Sequence, residues 1–195
     1  SSKYFTQNEN DQENNIIITN CYPIGFINKN NIRKLIFINV FDMFINKKFF
    51  QKLRTEKQLG YIVKSFIKKI GSTNKPYYLY CFMVQSNYDS KYVDDQINIF
   101  INDILEDINN ESNIKDISGC INALKKMVVM QDTTLEESNS RLFGYVLEMN
   151  AEFDVKEHTI NELDKFTIDD FIKMVDKYFR KKKSIVVGID KCVKD

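Results

Sequence analysis

The segment Leu53–Val63 constrains the fold more than any other part of this sequence. It reads Leu-Arg-Thr-Glu-Lys-Gln-Leu-Gly-Tyr-Ile-Val and follows a long apolar stretch with helical spacing. The β-branched and aromatic residues that come next are typical of a strand. We therefore predict that a helix gives way to a strand here, that Gly60 forms the turn, and that Arg54 and Tyr61 lie on either side of it.

Apolar residues recur with two different periods, and these periods predict an α+β domain. Alternating or β-branched runs predict strands near residues 4–7, 15–22, 61–70, 77–85 and 184–189. Apolar residues at every third or fourth position predict helices near residues 28–44, 93–108, 114–128, 134–149 and 167–179. No repeat, low-complexity linker or break in composition divides the sequence, so we predict one domain over residues 1–195. We expect helices packed on one face of a largely antiparallel sheet.

Local signals indicate where several of these elements begin and end. Pro23 and Gly25 are expected to end the second strand. Thr167 and Asp170 have capping-box spacing, which predicts the start of the last helix. In the strand over 61–70, we interpret one set of residues as the apolar side: Ile62, Phe66 and Ile70.

The charge pattern argues against nucleic acid and membrane as partners. The formal net charge is +1, so no global field attracts polyanions. The run Arg180-Lys181-Lys182-Lys183 could bind an anion or nucleic acid, but a solvated helix end is favoured because cations suit helix C-termini. The most apolar run, residues 35–45, is too short and too polar to span a bilayer.

The histidine and cysteine content predicts no metal or cofactor site within this chain. His158 is the single histidine, whereas a catalytic zinc takes several protein ligands, mostly histidine. The cysteines are far apart and form no C-x-x-C pair: Cys21, Cys81, Cys120 and Cys192. Two disulfides in a secreted protein are one interpretation. Free buried thiols in a reducing compartment are favoured, and with them a cytoplasmic location.

Arg54 and Tyr61 are the candidate catalytic residues, and two interpretations of them remain open from spacing alone. One is an arginine near a helix C-terminus and a tyrosine that starts a strand. The other is a pair of donors for a developing oxyanion, because a guanidinium and a phenol both suit such charge.

The segment Leu53–Val63 resembles the LRT-x-x-QLGY-x-V segment of the insulin-degrading enzyme family of inverted zinc peptidases. Eight of its residues match in place: Leu53, Arg54, Thr55, Gln58, Leu59, Gly60, Tyr61 and Val63. The likeness extends to the helix before it, to Gln85-Ser86, to the region of Leu163, Thr167 and Asp170, and to the opening strand and asparagine-rich loop. It therefore covers nearly the whole chain, although only the central block is highly specific.

The resemblance implies that this chain is the last of four related domains and a piece of a longer protein. The chain also begins without methionine, at Ser1. In such a protein the first domain holds zinc through H-x-x-E-H, and the last domain supplies Arg54 and Tyr61 to a peptide substrate across a closed chamber. The expected partners are the N-terminal half of the same polypeptide and peptide substrates, and the isolated chain is expected to be inactive.

Two other functions remain open at this point. The chain could belong to a catalytically inactive relative that acts as a scaffold or peptide-binding module. It could also be an autonomous small α+β binding protein. The presence or absence of H-x-x-E-H upstream would separate the first possibility from an active peptidase.

Overall fold

The five strands of the described residues form one sheet, in the spatial order β1-β5-β2-β4-β3. The computed structural model describes residues 2–10, 13–71, 76–130, 153–181 and 183–191. Strand β1 pairs parallel with β5, and the other three pairings are antiparallel. The strands are β1 Ser2–Gln7, β2 Ile16–Phe26, β3 Ile62–Ile70, β4 Tyr77–Ser86 and β5 Ile185–Asp190.

The described helices pack on one face of this sheet, which confirms the predicted α+β class. Two of them run on into π-helical turns, Gln51–Glu56 after the first and Asp176–Arg180 after the last. The predicted helix over residues 134–149 lies outside the described residues. The described helices are α1 Arg33–Phe50, α2 Ser90–Glu106, α3 Glu111–Met130, α4 Phe153–Asp164 and α5 Ile168–Val175.

The core lies on the inner face of the sheet, where buried side chains of neighbouring strands are opposite one another. Ile18 lies opposite Val84 and Tyr22 lies opposite Tyr80, and all four side chains are buried. Successive strand residues point to opposite faces, so this register fixes the inner and the outer face of every strand. Aromatic rings dominate the layer between sheet and helices: Phe37, Phe41, Phe49, Tyr80, Phe82, Phe100, Phe171 and Phe179.

Helix α1 is buried on more than one side, and it is longer than predicted. Asn28 caps a short 3-10 turn, Lys29–Asn31, in which its side chain accepts from the Asn30 N–H at 2.9 Å. The α-helix then continues to Phe50 and into the π-helical turn. The helical backbone continues beyond the predicted end at residue 44 because it places Phe49 and Leu53 in the core, where both side chains are fully buried.

The predicted apolar side of β3 is its outward side. Ile62 and Ile70 are each 42% exposed, whereas Val63 and Ser65 are buried against the core. The pairing with β4 decides this, because Val63 lies opposite the buried Val84. A local apolar pattern cannot report that register.

Two further boundaries differ from the sequence predictions. Strand β2 does not end at Pro23 but continues to Phe26. The register with β4 shifts between Pro23 and Gly25, and this irregularity accommodates the proline within the strand. Helix α4 was not predicted, because its apolar residues are too sparse to stand out. The capping box before α5 is confirmed: Asp170 N–H donates to Thr167 Oγ1 at 3.1 Å, and Thr167 N–H donates to Asp170 Oδ2 at 3.0 Å.

Candidate functional site at the Arg54–Tyr61 corner

The corner between α1 and β3 is shaped by a widened last helical turn. Lys57 N–H donates to Lys52 O at 3.1 Å, and Leu59 N–H then reaches back to Leu53 O at 3.0 Å. Leu53 and Leu59 are both buried and anchor the two sides of the turn in the core. Gln58 is the residue that adopts the left-handed conformation, with φ of 51°.

Gly60 is required for close packing rather than for turn geometry, which corrects its predicted role. A Cβ at this position would lie 1.8 Å from Gln85 O and 3.2 Å from Ser86 Cα. No side chain fits between these backbones, so only glycine lets the corner lie against the end of β4. Two hydrogen bonds fasten the contact: Ser86 Oγ donates to Leu59 O, and Tyr88 N–H donates to Ser86 Oγ at 3.1 Å.

The structure brings Arg54 and Tyr61 together at this corner, on either side of Gly60. Arg54 Nη1 donates to Gly60 O at 2.5 Å, and the guanidinium carbon lies 5.7 Å from the centroid of the Tyr61 ring. Arg54 is half-buried, while Tyr61 is 77% exposed just before β3 begins. The corner therefore holds a fixed arginine beside a tyrosine whose ring is largely in solvent.

Both side chains line an open cavity of about 640 Å³. Among the ion pairs of the described residues, none includes Arg54, so no carboxylate there neutralises it. A guanidinium has several N–H donors, so the bond to Gly60 O leaves others for a carbonyl or an anion. The lining residues are Phe50, Arg54, Thr55, Gln58, Gly60, Tyr61, Asn87 and Tyr88.

Sequence reasoning missed the aromatic residues that complete this cavity. Phe50 and Tyr88 are each nearly half exposed, and Tyr88 packs against Tyr92 with ring centroids 5.6 Å apart. Tyr88 also lines a second cavity of about 530 Å³. That cavity lies at the same end of the sheet, beside Gln7 and Ile16. The available signal in the sequence was the position of Tyr88, two residues after the end of β4.

The other candidates named from the sequence lie elsewhere and have ordinary roles. His158 is exposed on α4. In the part of the chain that the structure describes, no three His, Cys, Asp or Glu side chains converge to hold a metal ion. Arg180 donates to Leu105 O and pairs with Asp176 at 3.3 Å, so it ties the end of α5 to α2.

Comparison with known proteins identifies the chain as an insulinase-like (M16) peptidase C-terminal domain. Residues 40–143 match the family described as "PQQ synthase PqqF-like, C-terminal lobe domain 4". The chain belongs to that family. Among the described helices, none has the length and hydropathy that crossing a membrane requires.

Individual relatives are similar over most of this chain but are themselves much longer. A nardilysin-like protein of Arabidopsis thaliana is 27% identical over 88% of this chain and 16% of its own length. Insulin-degrading enzyme of Drosophila melanogaster is 25% identical over 75% of this chain and 14% of its own length. The solved structure of pitrilysin superposes with a TM-score of 0.65 at 14% identity, over 96% of this chain and 19% of that one. The chain thus spans a small fraction of the relatives it matches.

Proposed function

We propose that this chain is the non-metal C-terminal domain of an insulin-degrading-type zinc metallopeptidase, in which it closes the catalytic chamber and presents Arg54 and Tyr61 to a bound peptide. The observation that carries the proposal is the cavity in which both side chains lie side by side. The family membership of the chain supports it. The zinc of that reaction would be supplied by a domain elsewhere in the longer polypeptide.

The chemistry of the corner supports a role in stabilising the transition state. Peptide hydrolysis builds negative charge on the carbonyl oxygen under attack, and preorganised donors lower the energy of that oxyanion. Arg54 is held by Gly60 O, so little reorganisation is needed when the charge develops. A well-placed donor of this kind contributes about 3–4 kcal/mol to lowering the barrier. The exposed rings of Phe50 and Tyr88 offer apolar contact to the side chains of a peptide.

The exposed apolar side chains on the outer face of the sheet are consistent with our proposal that the N-terminal half of the same polypeptide is a partner. Its apolar side chains include Tyr4, Ile62, Ile70 and Val187, all more than 40% exposed. Exposed apolar areas of several hundred Å² usually mark interaction sites. The relatives that match are long enough to contain further domains that could cover this face.

The test of the catalytic role uses the intact protein and the variants Tyr61→Phe and Arg54→Lys. Each should lower kcat by about 10- to 1000-fold and raise KM less, because the lost interaction grows along the reaction. Lysine keeps the charge but loses the planar fork, so it should not rescue fully. Tyr92→Phe is the matched control, since it also loses one phenol hydroxyl but does not line the cavity. Turnover close to wild type in both variants would refute the role, whereas unchanged zinc content would agree with it.

A second test uses the isolated chain. We expect it to fold, to cleave no peptide and to bind no stoichiometric zinc. One tightly bound zinc per chain together with chelator-sensitive cleavage would contradict the proposal.

The partner and the alternative function are tested by assembly. Mixing the chain with a separately produced N-terminal half should give a complex in gel filtration, and two folded halves that stay apart at micromolar concentration would count against this partner. A full-length protein that binds peptides without cleaving them, and lacks H-x-x-E-H, would identify an inactive scaffold or peptide-binding relative instead.

A further inference from the structure

Two cysteines lie directly opposite each other on neighbouring strands at the middle of the sheet. Cys21 of β2 and Cys81 of β4 are register partners in the antiparallel pairing. Their Sγ atoms are 3.4 Å apart, and both are free thiols. The pairs on either side, Thr19 with Met83 and Pro23 with Leu79, hold the same register, so the two sulfurs cannot drift apart along the strands.

The backbone already has the spacing that a disulfide needs. Opposite residues of an antiparallel pair have Cα atoms roughly 4.5–5.5 Å apart. Bridged cysteines have Cα atoms about 4.4–6.8 Å apart and an S–S bond of about 2.0 Å. The two sulfurs must therefore approach by roughly 1.4 Å from their separation of 3.4 Å, which side-chain rotation can provide without strand movement.

The two thiols have different surroundings, and this difference assigns their roles. Cys81 S–H donates to Cys21 Sγ. That hydrogen bond lowers the pKa of Cys21, and the charge of Lys68 lowers it further. Together they outweigh burial, which raises it, so the pKa of Cys21 lies below its ordinary value. The same hydrogen bond and burial raise the pKa of Cys81. Cys21 is 8% exposed and Cys81 is fully buried, so Cys21 is both the better thiolate and the more accessible of the two residues.

We propose that Cys21 and Cys81 are a site of reversible oxidation that forms a cross-strand disulfide by exchange with a small-molecule disulfide such as glutathione disulfide. The Cys21 thiolate attacks one sulfur of glutathione disulfide, which forms a mixed disulfide and releases one glutathione thiolate. Cys81 then loses its proton and attacks Sγ of Cys21, which releases the second glutathione. The two cysteines are oxidised by two electrons in total, and one glutathione disulfide is reduced to two glutathione thiols.

The bridge would constrain the part of the chain that holds the Arg54 corner. The covalent loop from Cys21 to Cys81 contains α1, the π-helical turn and β3. Closing so long a loop lowers the entropy of the unfolded chain, so the oxidised form should unfold at a higher temperature. This inference does not depend on whether the chain is part of a peptidase.

The experiment uses the chain with Cys120→Ser and Cys192→Ser, so that the pair is tested alone. The reduced protein is incubated with glutathione disulfide, blocked with N-ethylmaleimide and weighed by intact mass spectrometry. We expect the loss of two hydrogens, no maleimide adducts, one linked peptide that contains Cys21 and Cys81, a raised melting temperature, and full reversal by dithiothreitol. Two maleimide adducts after incubation and unfolding would show that the pair does not oxidise and would overturn the proposal.

Single substitutions test the order of attack, and the wild-type chain guards against misfolding of the variants. Cys81→Ser leaves the attacking thiol without its resolving partner, so a mixed disulfide with glutathione should accumulate on Cys21. Cys21→Ser should give at least tenfold less glutathione adduct on Cys81. Equal adducts on both single variants would overturn the assigned roles. In the wild-type chain, a linked peptide that joins Cys21 or Cys81 to Cys120 or Cys192 would overturn the pairing.

Discussion

Two corners of this protein share one backbone geometry, a helix that widens into a π-helical turn before a strand, yet the arginine in each turn has different surroundings. The first runs from α1 through Gln51–Glu56 to β3, and the second from α5 through Asp176–Arg180 to β5. Each places one arginine in its π-helical turn, Arg54 in the first and Arg180 in the second.

The two arginines differ in what surrounds their charge. Arg180 is bound on both sides, since it donates to Leu105 O and pairs with Asp176 in its own turn. The aromatic residues beside it, Tyr178 and Phe179, are buried in the core. Arg54 has a carbonyl partner but, among the described ion pairs, no carboxylate, and the aromatic residue beside it, Tyr61, faces solvent.

The comparison teaches that the two arginines differ in their counter-charge and in the exposure of the neighbouring ring, not in the π-helical turn that carries them. Our proposal that Arg54 meets a bound peptide depends on this difference. π-helical turns occur often at functional sites, but at the second corner the side chains of the turn pack in the core and pair with each other.

The largest expected effect is that substitution of Arg54 lowers turnover, whereas substitution of Arg180 lowers stability. Arg54→Met in the intact protein should lower kcat by about 100-fold, because a donor to the developing charge is lost. Arg180→Met should leave kcat within about twofold and lower the unfolding free energy by about 1 kcal/mol, because Leu105 O loses its partner. Steady-state kinetics and urea denaturation measure the two quantities. A large loss of turnover in Arg180→Met at full folding would break the comparison.

The next effect concerns the close contact at the first corner. Gly60→Ala should lower the unfolding free energy by about 2 kcal/mol or more, because a Cβ 1.8 Å from Gln85 O forces backbone movement. Gly119→Ala is the matched control: α3 has open space there, and alanine should stabilise the helix by up to about 1 kcal/mol. Chemical denaturation of the isolated chain gives both values. Equal effects of the same sign would show that Gly60 is not packed as described.

The smallest effect tests the start of α5, the short helix that leads into the second corner. Burial alone would raise the pKa of Asp170, but hydrogen bonds from Thr167 and the nearby charge of Arg33 outweigh it and hold the pKa of Asp170 below its usual 3.8. The stabilisation by the carboxylate is therefore complete above that usual value and is lost as pH falls through the lower native pKa. Asp170→Asn should cost about 0.5 kcal/mol at neutral pH, and the difference from wild type should shrink in acid.

A thermal melt series from pH 7 down to pH 2.5 measures that difference. A constant offset between the two proteins across the series would mean that the charge of Asp170 contributes nothing to stability.

The sequence by itself determined the α+β class, the strands and most of the described helices, although not α4, and it placed Arg54 and Tyr61 at one corner. Helical and strand periods, the capping box at Thr167 and the match around Gly60 all depend on local spacing, and local spacing is written directly in the chain. The pairing of Arg54 with Tyr61 followed from the same segment, because the turn that joins them is only a few residues long.

Tertiary structure alone decided the features that depend on distant partners. The outward position of Ile62 and Ile70 follows from the register with β4, and the need for glycine at Gly60 follows from the approach of Gln85. The cavity lined by Tyr88 and the meeting of Cys21 with Cys81 depend on the strand order. Such contacts join residues far apart in the chain, and their geometry is set by packing that no local pattern encodes.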